Sequence, residues 1–133
     1  MNSRRVIVVD DDPDILNLVS ILLQRLGVQV STFANGRGAI RYLAQETPDL
    51  VVLDLMLPDV DGMDILRQIR ARTRFEDVPV LVLSAKADPD TIRTALDSGA
   101  DSYVTKLYIT NSLLDRVRLL LTHGRRSRSL FGH

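Results

Sequence analysis

VIVVDDDPDI, residues 6–15, joins an aliphatic run to three consecutive aspartates and a proline. Val6 to Val9 shows no alternation of polar and apolar residues, the pattern of a strand covered on both faces, as in a parallel sheet. Asp12-Pro13 then reads as a helix start, with an acid able to cap the first amides and proline at a tolerated first-turn position. Beyond it Ile15, Leu18, Val19, Leu22 and Leu26 repeat at the spacing of one helical face, and Gly27 ends the run. A buried strand, an acidic turn and a helix thus follow one another.

The same change of period recurs along the rest of the chain. Leu50 to Leu53 and Val80 to Leu83 are further apolar runs, while Val28 to Phe33 alternates and Tyr103 to Val104 is brief, as suits edge strands. Ala39, Ile40 and Leu43 mark a second helix, stopped before Pro48. Met63, Leu66 and Ile69 mark a third, with capping acids at Asp59 and Asp61. Ile92, Ala95 and Leu96 mark a fourth, entered through Asp88-Pro89 and ended by Gly99. Leu113, Leu114, Val117, Leu120 and Leu121 mark a fifth, capped by Thr110 or Asn111. Strict alternation of strand and helix implies a parallel sheet with right-handed crossovers and helices on both faces, an α/β three-layer sandwich. Placing the fully apolar strands inside predicts a flavodoxin-like (βα)5 fold of strand order 2-1-3-4-5, with ligands bound beyond the carboxyl ends of strands 1 and 3, where the winding reverses.

The chain has 133 residues, with 17 basic against 17 acidic side chains, so its formal charge is zero. This length suits one domain that buries roughly two-thirds of its unfolded surface without staples. The absence of cysteine removes disulfides, thiolate nucleophiles and Cys-ligated metal, and the two histidines, His123 and His133, lie near the C-terminus. No apolar run approaches the ~18 residues of a membrane span and no signal peptide is visible, so a cytoplasmic protein with no membrane contact is expected. Zero net charge argues against direct nucleic-acid binding by this domain. The charges are unevenly spread: Asp10 to Asp14 holds four of 15 aspartates, and Arg116 to Arg128 holds five of 15 arginines. Residues 123–133 read as a basic tail or the start of a linker, and the excess of arginine over lysine reads as a compositional bias.

In the expected fold Asp10 and Asp11, after the first strand, meet Asp54, after the third, at the switch point. Asp12 reads as a helix cap, whereas Leu55 to Leu57 continue apolar and leave Asp54 no such role. Two carboxylates about 5 Å apart repel by roughly 3 kcal/mol at an effective dielectric near 20, so three such pairs would cost about 10 kcal/mol, comparable with a domain's stability. Such a cluster needs a cation, a protonated member or wider spacing. Oxygen ligands without His or Cys select Mg2+ or a similar ion such as Mn2+, and carboxylate-held Mg2+ with open positions suits phosphoryl chemistry. Ser84 ends the fourth strand, where a hydroxyl can donate to a phosphoryl oxygen, and Lys106 follows the fifth, where an ammonium can balance the charge. Singly, each also reads as a turn serine and a solvated lysine.

VIVVDDDPDI at 6–15, LVVLDLMLPDVDG at 50–62, VPVLVLSA at 78–85 and GADSYVTK at 99–106 together resemble the receiver domains of two-component response regulators, over about residues 4–122. The resemblance implies that Asp54 is the phosphoacceptor, attacking the phosphohistidine of a sensor histidine kinase or a histidine phosphotransfer protein. It implies Mg2+ held by Asp11 and Asp54, by Asp10 through water and by the backbone carbonyl of Met56. Ser84 would move toward the phosphoryl group, Lys106 would pair with it, and Tyr103 would turn inward as the switch. The output would be a population shift of the face formed by the fourth helix, fifth strand and fifth helix, read by a downstream target or effector domain, with a homodimer as one form. Such a protein is a phosphoacceptor switch rather than an enzyme, assisting only its own phosphotransfer and dephosphorylation.

Leu107 follows Lys106 where the family usually has a proline in a cis bond. A non-proline cis bond costs about 3 to 4 kcal/mol, so a trans bond and a differently shaped loop are expected. Ser102 stands where many regulators with winged-helix output domains carry an acid, which leaves Asp101, Arg116 and Arg118 as charges for an ion-paired dimer. A stand-alone receiver and one excised from a larger DNA-binding regulator or hybrid kinase both fit. A phosphatase of the haloacid dehalogenase type needs a second aspartate two residues after its nucleophile, where Met56 stands. A flavin or nucleotide module would need a Gly-rich or Ser/Thr-rich first loop in place of the aspartates.

Overall fold

The computed structural model describes residues 3–125. Strands β1 (Arg5–Val9), β2 (Gln29–Phe33), β3 (Leu50–Leu53), β4 (Val80–Ser84) and β5 (Ser102–Thr105) alternate with helices α1 (Pro13–Gln24), α2 (Gly36–Leu43), α3 (Gly62–Arg70), α4 (Pro89–Asp97) and α5 (Leu114–His123). All pair in parallel in the order β2-β1-β3-β4-β5. Because successive strand residues point to opposite faces, Ile7, Val9, Val51 and Val82 pack under α2, α3 and α4, while Val6, Val8, Val52 and Leu81 pack under α1 and α5. The non-alternating runs are the inner strands, where both faces need cover.

Helix starts follow local chemistry with two corrections. Asp12 caps α1, its Oδ1 accepting from the Asp14 amide at 2.9 Å ahead of Pro13, and Asp61 caps α3 through the Met63 amide at 2.9 Å. Asp59, expected beside Asp61 on the third helix, instead accepts from the Gly36 and Arg37 amides at 2.8 and 3.0 Å and so caps α2 from another loop. Neither Thr110 nor Asn111 caps α5. A 3-10 turn (Lys106–Tyr108) and a π turn (Ile109–Leu113) lead into it, and the Thr110 hydroxyl bonds to Asn111 Oδ1 at 3.2 Å. Burial of Ile109 and Leu113 against the sheet sets this approach and overrides the polar cap. No described peptide bond is cis, so Lys106–Leu107 is trans as expected.

Arg70 organises a buried polar network. Arg70, ending α3, donates through Nε to Gly99 O at 2.8 Å, through Nη1 to Phe75 O at 3.1 Å and through Nη2 to Val78 O and Asp101 Oδ2, both at 2.8 Å. Asp101 Oδ1 accepts from Arg125 Nε at 2.8 Å and Oδ2 from the Val80 amide at 2.9 Å. Both Asp101 carboxylate oxygens are therefore engaged inside the domain. Arg118 pairs with Asp115 at 3.2 Å, and Arg116 donates to Ser102 Oγ at 2.8 Å. Residues 126–133 of the expected basic tail lie outside the described residues, while Arg125 is held on Asp101 and on Glu76 O at 2.9 Å. No helix among the described residues is long and apolar enough to cross a membrane.

Candidate functional site

Val9 and Leu53 are register partners at the ends of β1 and β3, so the residues that follow them, Asp10 and Asp54, emerge side by side. Both are nearly sealed from solvent, at 1% and 2% exposure, whereas Asp11 is exposed. Carboxylate oxygens of Asp10, Asp11 and Asp54 lie within 4.8 Å of one another. Lys106, arriving from β5, places Nζ 2.8 Å from Asp10 Oδ2 and 2.9 Å from Asp54 Oδ2. Of the ways to relieve a carboxylate cluster, the chain supplies at least one itself, a cation on a side chain.

The relief is incomplete. Asp54 Oδ2 accepts a hydrogen bond from Lys106, and its Oδ1 accepts one from the Met56 amide at 3.1 Å. Asp10 Oδ1 accepts from the Asp12 amide at 2.9 Å, and Asp10 Oδ2, fully buried, is ion-paired with Lys106 Nζ at 2.8 Å, so one ammonium serves both buried acids while Asp11 lies beside them. Burial pushes the Asp10 carboxyl above the usual carboxylate range, against the opposing pull of Lys106 and the Asp12 amide. Burial alone would lower Lys106, but the hydrogen bonds and charges of Asp10 and Asp54 outweigh it and hold the ammonium above its ordinary value. Three carboxylates, two buried and one exposed, served by a single ammonium form an all-oxygen donor set that fits a hard divalent cation.

Ser84 ends β4 next to β3, fully buried, its Oγ accepting from the Lys86 amide at 3.3 Å. Tyr103 on β5 is half-buried and donates its hydroxyl to Lys86 O at 2.8 Å, and burial pushes its phenol up. The structure thus brings Asp10, Asp11, Asp54 and Lys106 into contact range, with Met56 on a loop that lines a pocket with Asp11 and Ser84 on the neighbouring strand end.

The sequence reading missed two supporting residues. Asp59, taken for a cap of α3, is bound to α2, and its bond to the Gly36 amide, followed by that to Arg37, holds its carboxyl below the usual range. Gly62 lies where a Cβ would come within 2.4 Å of Asp54 O and 2.5 Å of Leu55 Cα, a backbone contact that no rotamer change relieves. Gly62→Ala is expected to destabilise the domain by about 1 to 3 kcal/mol and to shift the Asp54 and Leu55 amide resonances, read by urea unfolding and NMR. Unshifted resonances would show that the loop does not need glycine there.

Residues 6–118 match the response regulator receiver domain pattern. The chain belongs to the response regulator receiver domain family. The receiver is 44% identical over 124 residues to the regulatory protein VanRc of Enterococcus gallinarum, covering 93% of this chain and 52% of that protein. It is 45% identical over 113 residues to the transcriptional regulatory protein KdpE of Mycobacterium tuberculosis, covering 85% and 49%. Among solved structures, the BeF3-activated DrrB receiver domain superposes with a TM-score of 0.82 at 36% identity, covering 91% of this chain and 99% of that one. The response regulator DrrB of Thermotoga maritima, described as an OmpR/PhoB homologue, gives 0.82 at 36%, covering 92% and 54%. The receiver spans about half the length of the curated relatives it matches.

Proposed function

We propose that this receiver accepts a phosphoryl group on Asp54 from the phosphohistidine of a sensor kinase or a histidine phosphotransfer protein, and that the boundaries of the unit are residues 4–122. The observation that carries the reading is the cluster of Asp10, Asp11 and Asp54, whose oxygens lie within 4.8 Å of one another, with the Lys106 ammonium shared by the two buried acids. A carboxylate oxygen of Asp54 attacks phosphorus, the P–N bond breaks, and the imidazole leaves with its electron pair and takes a proton. Asp11 and Asp54 would hold Mg2+, or Mn2+ in its place, with Asp10 acting through water and the Met56 carbonyl as a further ligand. When bound, the ion neutralises oxygens of the transferring group. Lys106 stabilises charge on the phosphoryl oxygens, and the Ser84 hydroxyl donates to one of them.

Withdrawing Ser84 toward the phosphoryl group frees the space above β4 into which Tyr103 would turn, giving up its bond to Lys86 O. The α4, β5 and α5 face then changes its preference for a downstream target or effector domain in the cytoplasm. The domain is a switch, with no substrate turnover beyond its own phosphorylation and dephosphorylation. The test is intact mass after incubation with MgCl2 and acetyl phosphate: one added phosphoryl group is expected on the wild type, none with EDTA and none on Asp54→Asn. An undiminished adduct on Asp54→Asn would sink the assignment.

A further inference from the structure

The loop between β3 and α3 is closed at its base and also tethered at its tip. At the base Met56 and Asp61 form an antiparallel bridge, and the Gly62 amide donates to Leu55 O at 3.0 Å. At the tip Asp59 accepts from the Gly36 amide through Oδ1 at 2.8 Å and from the Arg37 amide through Oδ2 at 3.0 Å. Helix α2 has its own cap, because Asn35 Oδ1 accepts from the Gly38 amide at 2.8 Å. Both Asp59 oxygens are engaged, which fixes the loop in distance and direction. Gly36 allows the approach, since a Cβ there would lie 3.0 Å from Val60 Cβ. The same loop, Leu55 to Asp61, lines a pocket together with Asp11, the exposed member of the acidic cluster.

We infer that Asp59 is a positioning residue for the cation site, tying the Met56 loop to the N-terminus of α2 and thereby setting its distance from Asp11. The inference rests on the divalent-cation reading of that site. Outer supports of metal ligands typically matter by about 10- to 100-fold in affinity, and a tether one loop removed falls at the lower end.

MgCl2 titrated into isotope-labelled protein, followed by amide shifts, tests it. Asp59→Ala is expected to raise the Mg2+ dissociation constant about tenfold. The Gly36 and Arg37 amides should move upfield while α2 keeps its helical shifts. Asp59→Asn, with one oxygen acceptor left, should fall between. Asn35→Ala removes the helix's own cap but leaves the tether, so it should leave the constant unchanged. An unchanged constant in Asp59→Ala, or an equal loss in Asn35→Ala, overturns the tether. A wild type with no saturable response overturns the cation reading and the tether together, whereas a saturable wild type with an unchanged Asp59→Ala overturns the tether alone.

Discussion

Lys106→Met is expected to lower the stability of the magnesium-free protein by about 3 to 5 kcal/mol and to tighten Mg2+ binding, opposite signs from one substitution. Asp10 and Asp54 have almost no contact with water, and Lys106 lies within 3 Å of an oxygen on each. Methionine keeps most of the volume and removes the charge, leaving two buried carboxylates to repel each other by roughly 3 kcal/mol at 5 Å and a dielectric near 20. A divalent ion then meets a more negative site and binds more tightly, and ligand binding to the native state alone returns RT ln(1 + [L]/Kd) of stability. Urea unfolding in EDTA and in MgCl2 measures both effects. Equal losses in the two buffers, or weaker Mg2+ binding by the variant, would mean that Lys106 does not compete with a cation for these acids.

The fold and the centre of the site were legible because both follow from residues adjacent in sequence. Val6 to Val9 and Leu50 to Leu53 announce inner strands, and a parallel pairing that aligns Val9 with Leu53 leaves Asp10 and Asp54 no other place to emerge. Lys106 was legible for the same reason, since it follows the last strand. What escaped was chemistry between residues far apart in the chain. Asp59 looks like a cap of the helix that follows it, and only the packing of its loop on Gly36 shows which amides it reaches. Thr110 and Asn111 look like caps, but burial of Ile109 and Leu113 starts α5 by a π turn instead. Asp101 reads as an available charge, and nothing local in its segment points to Arg70, with which it pairs at 2.8 Å.

Arg70→Met is expected to cost about 3 to 5 kcal/mol out of a typical 5 to 15, as large a loss as Lys106→Met in the magnesium-free protein. Its guanidinium answers Gly99 O, Phe75 O and Val78 O as well as Asp101, so methionine fills the space but takes the donor from Gly99 O and Val78 O, at about 1 to 3 kcal/mol for a buried acceptor left without one, while Phe75 O keeps the Val78 amide at 3.0 Å. Asp101, with its side chain wholly buried, would keep Arg125 and the Val80 amide as partners. Arg125→Met should cost less, because Arg125 is the more exposed of the two, at 26% against 12%, and Asp101 then retains Arg70. Arg70→Lys should recover little, since an ammonium cannot reproduce a planar fork that serves four acceptors. Urea unfolding of the three variants orders them, and near-complete rescue by lysine would show that charge on Asp101 matters more than the fork. Asp101 leads into β5, which carries Tyr103 and delivers Lys106, so the Lys106 resonances should broaden or move in Arg70→Met while those of α1 stay fixed.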